Sequence, residues 1–194
     1  DPQKVYARVM KFFVITLCVM FLVVSMFLPI WKYFIEQSYW EGLRVVPILL
    51  LANMGLGIYH SLSIWYKITN KVIAGVWITL AGAAITITIN WLFIPTFGYM
   101  ACAWATLTCY ATMLVISYYW GQKVYPVPYA TRKLLAYIGL VLILYFIHKG
   151  LSVLFGNDLA SMIAGAIFLG LFVLFMLRVE RKEFQKLPFI GRYL

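Results

Sequence analysis

What this chain has least of is charge. Only 11% of its 194 residues are Asp, Glu, Lys or Arg and 64% are hydrophobic, where an ordinary soluble domain carries about 25% charged residues. A soluble fold this apolar could not cover its own core, so a water-soluble enzyme domain is excluded and lipid becomes the solvent. Acids are scarcer still. All six (Asp1, Glu36, Glu41, Asp158, Glu180, Glu183) fall in connections or termini, and none lies inside a long apolar run. The three cysteines, Cys18, Cys102 and Cys109, all sit within apolar runs. An odd number in lipid argues against a disulfide framework or a metal site, and for small hydrophobes in packed helices. No metal or cofactor is expected. No run alternates in the manner of a barrel strand, so the spanning elements are helices, which satisfy their backbone internally. The chain also lacks an initiator Met and a secretory leader pattern, and on that ground it is expected to be the C-terminal part of something longer.

What the chain does have is long hydrophobic runs. A spanning helix needs about 20 predominantly apolar residues, and reading on that basis gives six runs, the fifth of them short: 12–30, 45–65, 72–94, 101–119, 134–147 and 159–177. The fifth extends to 155 if His148 and Lys149 snorkel outward. The expected fold is an all-α membrane protein with six transmembrane helices.

The net charge of +10 does not indicate a nucleic-acid partner, because the sixteen Lys and Arg are scattered in short groups between the runs. Their distribution sets orientation instead. The N-terminus, the second and fourth connections and the C-terminus together hold thirteen (Lys4, Arg8, Lys11, Lys67, Lys71, Lys123, Arg132, Lys133, Arg178, Arg181, Lys182, Lys186, Arg192), against three (Lys32, Arg44, Lys149) on the opposite side. Cationic loops stay inside, so both termini are expected to be cytoplasmic.

Polar content differs between the runs. Asn53, Gly57, His60 and Lys67 share one face of the second helix, and Thr79, Gly82, Thr86 and Asn90 share one face of the third. Gly98, Cys102, Ala105, Thr108 and Thr112 form a small-residue stripe on the fourth, of the kind that lets helices approach closely in lipid. The fifth and sixth carry little beyond Tyr137, Tyr145 and Ser161 and read as lipid-facing and peripheral. Helices two to four therefore read as the lining of a passage, since an amide or imidazole at mid-membrane normally faces a bundle interior or a wet cavity. Each residue also has a plain structural role available. The asparagines can bond a neighbouring helix, the threonines their own backbone, and Lys67 can simply snorkel. Arg44 stands against the positive-inside trend and just before Pro47, a potential kink. An anionic ligand or Glu41 would each account for it.

Three segments carry a family likeness. They are 65–71 (Trp-Tyr-Lys-Ile-Thr-Asn-Lys), 90–98 (Asn-Trp-Leu-Phe-Ile-Pro-Thr-Phe-Gly) and 99–106 (Tyr-Met-Ala-Cys-Ala-Trp-Ala-Thr). They resemble the C-terminal part of bacterial polysaccharide-biosynthesis flippases, in the multidrug/oligosaccharidyl-lipid/polysaccharide exporter (MATE-like) superfamily. Asn90, Pro95, Phe97, Gly98, Ala103, Ala105 and Thr106 match the family's helix-ending Pro-x-(Phe/Tyr)-Gly turn and the run after it, while Ala101 replaces a second Gly. The likeness covers residues 4–125 and then weakens. It implies two six-helix lobes with extra helices after them. Residues 1–122 would then be the last four helices of the second lobe, and 123–194 two peripheral helices and a basic cytoplasmic tail. The N-terminal lobe of the same protein, and the start of the second lobe, would be absent from this chain. It also implies a substrate, a polyprenyl-pyrophosphate-linked oligosaccharide flipped across the bacterial inner (cytoplasmic) membrane for O-antigen, capsule or related polysaccharide assembly, with membrane lipid as the other partner and no enzymatic step.

Sheltering a pyrophosphate and several sugars needs cations and amides. The candidate substrate-binding residues are Arg44, His60 and Lys67 for the anion and Asn53 and Asn90 for sugar hydroxyls, with Trp91 or Trp104 to stack on sugar faces. These assignments come from chemistry and placement, and the family motif does not supply them. A cation-coupled multidrug exporter of the same superfamily favours intramembrane carboxylates, which these runs lack. A lipid II flippase is chemically nearer. A membrane glycan-modifying enzyme needs clustered acids, His pairs or metal ligands, whereas His60 and His148 lie on different helices.

Overall fold

The computed structural model describes residues 2–181, and every regular element among them is helical. The elements are α1 (Pro2–Met26), α2 (Leu28–Lys32), a 3-10 helix (Gln37–Val45), α3 (Val46–Leu62), α4 (Ile64–Ile68), α5 (Val72–Phe97), α6 (Tyr99–Val124), α7 (Thr131–Phe155) and α8 (Asp158–Val179). Six segments are long and apolar enough to cross a bilayer: α1, Gln37–Ile68, α5, α6, Thr131–Leu154 and α8. The continuous helices of 22 to 26 residues rise about 33–39 Å, enough for a hydrocarbon core of about 30 Å. The chain is an all-α, multi-pass membrane protein.

Helix ends depart from the apolar runs for identifiable reasons. α1 starts at Pro2, ten residues before the first apolar run, because a Pro at the first position suits a helix start and no breaker follows. It ends at Met26 rather than Ile30, because the ring of Pro29 clashes with the carbonyl four residues back and cannot continue the ladder. Pro47 lies in the first turn of α3, where its missing N–H costs nothing, so it opens that helix and does not kink it. Arg44 is in the last turn of the 3-10 helix just before it. Between α5 and α6 stands Gly98, with φ +56 and ψ −138, a combination that a Cβ would strain. At the start of α8 the Asn157 side chain accepts the Leu159 N–H at 3.1 Å, a side-chain N-cap. α7 continues to Phe155 with Lys149 exposed, whereas His148 does not snorkel but is buried.

The chain divides into two compact units. The first comprises Asp1–Val14 with Gln37–Leu134. In it α6 packs against both α3 and α5 through Ala101, Ala105, Cys109, Met113, Ser117 and Gly121, all buried and spaced four residues apart. That interval returns to nearly the same side of a helix each time. Gly82 of α5 meets it so closely that a Cβ there would lie 2.7 Å from the Met113 sulfur. Tyr59, Trp65, Tyr66, Ala74 and Ile78 complete the core with Cys109 and Met113, and the Trp65 indole N–H donates to the Ser117 hydroxyl at 3.3 Å. The packed stripe is offset from the one expected on this helix, since Cys102 and Thr108 are exposed.

The second unit comprises Ile15–Glu36 with Leu135–Leu194, described to residue 181. Its buried side chains include Cys18, Leu22, Met26, Val141, Phe172 and Met176. Phe21 meets Tyr145 edge-on at 5.8 Å. Gly165 lets α8 approach so closely that a Cβ there would lie 3.1 Å from Met26 and 3.2 Å from His148. The Tyr137 hydroxyl donates to the buried Glu180 carboxylate at 2.6 Å.

Candidate functional site

On α3 the packed residues Ala52, Ile58, Tyr59 and Leu62 define the side that faces the first unit's core. At 100° per residue, Asn53 and His60 point the other way. Both are exposed, and their seven-residue interval separates them by about 10 Å along the axis. Asn53 donates its side-chain N–H to the Leu49 carbonyl at 2.8 Å, one turn earlier on the same helix, so it does not tie α3 to a neighbour. His60 leans against Tyr59, with ring centres 5.6 Å apart. Lys67 lies exposed in α4, after the Ser63 hydroxyl donates to the His60 carbonyl at 2.6 Å where the two helices join.

Arg44 is exposed as well, but at the other end of this span. The 17 residues of α3 that separate the 3-10 helix from α4 rise about 25 Å. Arg44 and Lys67 therefore cannot hold one pyrophosphate together. The three anion-binding candidates are strung along one span, with Arg44 in the 3-10 helix and Lys67 in α4 at its ends and His60 of α3 between them. Near the Arg44 end, the Tyr99 hydroxyl donates to the Glu41 carbonyl at 3.4 Å and ties the start of α6 to the 3-10 helix.

On α5 the packed side is set by Ala74, Gly75, Ile78 and Gly82, and Thr79, Thr86 and Asn90 lie along its flank. The threonines are satisfied locally: Thr79 donates to Gly75 and Thr86 to Gly82, four residues back in each case. Thr106, Thr108 and Thr112 of α6 do the same. None of them needs a ligand. Asn90 differs. It is half-buried, and its amide oxygen is enclosed without a hydrogen-bond partner, a costly state in a span unless something polar reaches it. Trp91 and Trp104 are both exposed. Trp104 lines a cavity of about 380 Å³ with Ile89, Phe93, Phe97, Met100, Ala101 and Thr108, at the Gly98 end of α5 and α6.

In the connection from α6 to α7, the Gln122 side chain donates to the Val127 carbonyl at 2.8 Å. Burial, with a smaller contribution from neighbouring Tyr125, pushes the Tyr129 phenol up to about 12. Among the described residues no three His, Cys, Asp or Glu side chains are grouped as a metal site would need, and the cysteines are free thiols.

The sequence pattern points only at the first unit. Yet among the described residues four of the six buried polar side chains, Ser25, His148, Ser161 and Glu180, belong to the second. There the His148 Nε2 sits 3.0 Å from the Ser161 carbonyl. Single polar residues in apolar runs carry no periodic signal. Only the Gly156-Asn157-Asp158 turn next to His148 and Lys149 marks the place in the sequence. Compared with family models, curated proteins and solved structures, the chain matches none.

Proposed function

We propose that this chain forms part of a flippase that moves a polyprenyl-pyrophosphate-linked oligosaccharide across the bacterial inner membrane for polysaccharide assembly. It would work with a further six-helix lobe, and both termini would be cytoplasmic. One observation carries the reading. The span built from the 3-10 helix, α3 and α4 turns Arg44, Asn53, His60 and Lys67 away from the core it packs on. Polar and cationic groups in a membrane segment are costly against acyl chains, so a segment that exposes them is one that borders a polar passage. Cations at the two ends with an imidazole between them would pass a pyrophosphate along in steps, each position favouring the anion without trapping it. Asn53, which is exposed, and Asn90, whose enclosed amide oxygen lacks a partner, would accept hydrogen bonds from sugar hydroxyls. The described spans carry carboxylates only near the ends of two of them, Glu41 and Asp158, and that scarcity favours an anionic cargo over a cationic drug. The thirteen-to-three distribution of Lys and Arg supports the orientation, and the likeness of residues 4–125 to the flippase family supports the substrate class.

The test is to make Arg44→Gln and His60→Leu separately in the full-length protein and to measure surface glycan at matched protein level. Loss of glycan in both is expected. Unchanged glycan in both removes these residues from the passage and, with them, the main support for the reading.

A further inference from the structure

The second unit holds a cavity of about 360 Å³ where the end of α1 and the start of α2 meet the end of α7 and the start of α8. Its lining includes Ser25, His148, Lys149, Asp158 and Ser161. Three spans begin or end here, so the cavity lies at a membrane boundary. Its volume is in the range of small-molecule sites, about 300–1,000 Å³.

Two features separate it from an ordinary packing gap. Ser25 is only 4% exposed, lines the cavity, and its hydroxyl has no hydrogen-bond partner. Buried hydroxyls are normally satisfied, and an orphan marks a place where a polar group is missing. His148 is 5% exposed, with Nε2 3.0 Å from the Ser161 carbonyl and 3.4 Å from its hydroxyl. A carbonyl only accepts, so Nε2 carries a proton and donates it there. At the rim stand two exposed side chains of opposite charge, Lys149 and Asp158. The amino end of α8, capped by Asn157, adds partial positive charge on the same side.

We infer that this cavity binds the zwitterionic headgroup of an aminophospholipid, a phosphate joined to a primary ammonium. The phosphate goes to Lys149 and the amino end of α8, where cation and helix dipole both favour an anion. The ammonium goes to Asp158, and a primary ammonium has hydrogens to donate to that carboxylate, which a quaternary one lacks. The Ser25 hydroxyl gains its partner from the headgroup oxygens. Exposed apolar side chains on the same two helices, Val153 and Leu154 of α7 and Leu159 and Ile163 of α8, give the acyl chains a surface to lie on. The inference stands apart from the export reading, which uses other residues in the other unit.

The test is native mass spectrometry of the full chain released from membranes holding equal phosphatidylethanolamine, phosphatidylcholine and phosphatidylglycerol. The protein should keep phosphatidylethanolamine at least tenfold over phosphatidylcholine. Asp158→Asn should erase that preference, and Lys149→Gln should lower retention of all three lipids. Both side chains are exposed, so neither change threatens the fold, and Ser25→Ala should weaken retention without adding bulk. Equal retention of the ethanolamine and choline lipids, or a preference that survives Asp158→Asn, overturns the inference. Water-soluble phosphoethanolamine provides the remaining arm. Failure to displace the lipid at millimolar concentration supports a membrane source, and binding as tight as the lipid's overturns it.

Discussion

Replacing Gly121 by Ala tests the packing of α6 at its tightest point. A Cβ there would lie 2.7 Å from Cδ1 of Trp65, 3.0 Å from its Nε1 and 3.2 Å from Cγ. Ordinary carbon contacts begin near 3.5 Å, so the indole must retreat by roughly 0.8 Å. It has little room, being 2% exposed and held between Tyr66 at 5.4 Å and Trp120 at 5.9 Å. Overpacking of this kind costs about 1–3 kcal/mol. Moving the ring also strains the 3.3 Å bond to Ser117, which adds about 0.5–1.5 kcal/mol. Against this, exchanging Gly for Ala inside a helix gains about 1 kcal/mol. The balance is a loss of about 0.5–3.5 kcal/mol. At about 2–4 °C per kcal/mol for a chain this long, Tm should fall by roughly 1–14 °C. The assay is thermal loss of the helical circular-dichroism signal in mild detergent, with Gly170→Ala as reference, since nothing lies within 4 Å of a Cβ at Gly170. Gly170→Ala should hold or raise Tm, and the cost of Gly121→Ala should vanish in a Trp65→Leu background. If Gly121→Ala melts at or above the parent, or Gly170→Ala loses as much, the close approach of α6 to Trp65 is not what holds these helices.

Other outcomes follow from single contacts. Gly98→Ala, at φ +56 and ψ −138, should cost about 1–3 kcal/mol of backbone strain, read as a lower Tm by the same assay. Tyr137→Phe removes the 2.6 Å bond to Glu180 and should cost about 1–3 kcal/mol, because the carboxylate is buried; adding Glu180→Gln to Tyr137→Phe should recover part of the loss. The Tyr129 phenol is raised to about 12 against an unfolded value of 10. The unfolded state therefore loses its proton first, and stability that is whole below pH 10 declines between pH 10 and 12. Tyr129→Phe should flatten that decline in melts recorded from about pH 9 to about pH 11.5, and an unchanged slope would place the phenol in water.

In a soluble helix the buried side announces itself by alternating with a polar one. In lipid both sides are apolar, and that contrast disappears. The consequences show in particular residues. The small side chains of α6 locate its packed stripe only to within a residue or two, so the pattern puts Cys102 and Thr108 where Ala101 and Cys109 pack. On α3 the polar residues themselves supply the contrast, and the shared face of Asn53 and His60 is legible. By position alone His148 can snorkel like Lys149, and nothing along the chain reveals that Gly165 and Ser161 of α8 close over it. The distance between Arg44 and Lys67 is implicit in the count of residues between them, although charge alone groups the two.

The sequence alone determined that this is a helical membrane protein with six crossings, because the cost of leaving backbone groups unsatisfied in hydrocarbon leaves a run of about 20 apolar residues no other solution. Local chemistry also marked the Gly98 turn. Tertiary structure alone decided which sides of the helices meet and that Ser25 is enclosed beside His148 without a partner. Those outcomes depend on contacts between residues far apart in the chain, and in a solvent as apolar as the side chains themselves no pattern along the sequence records them.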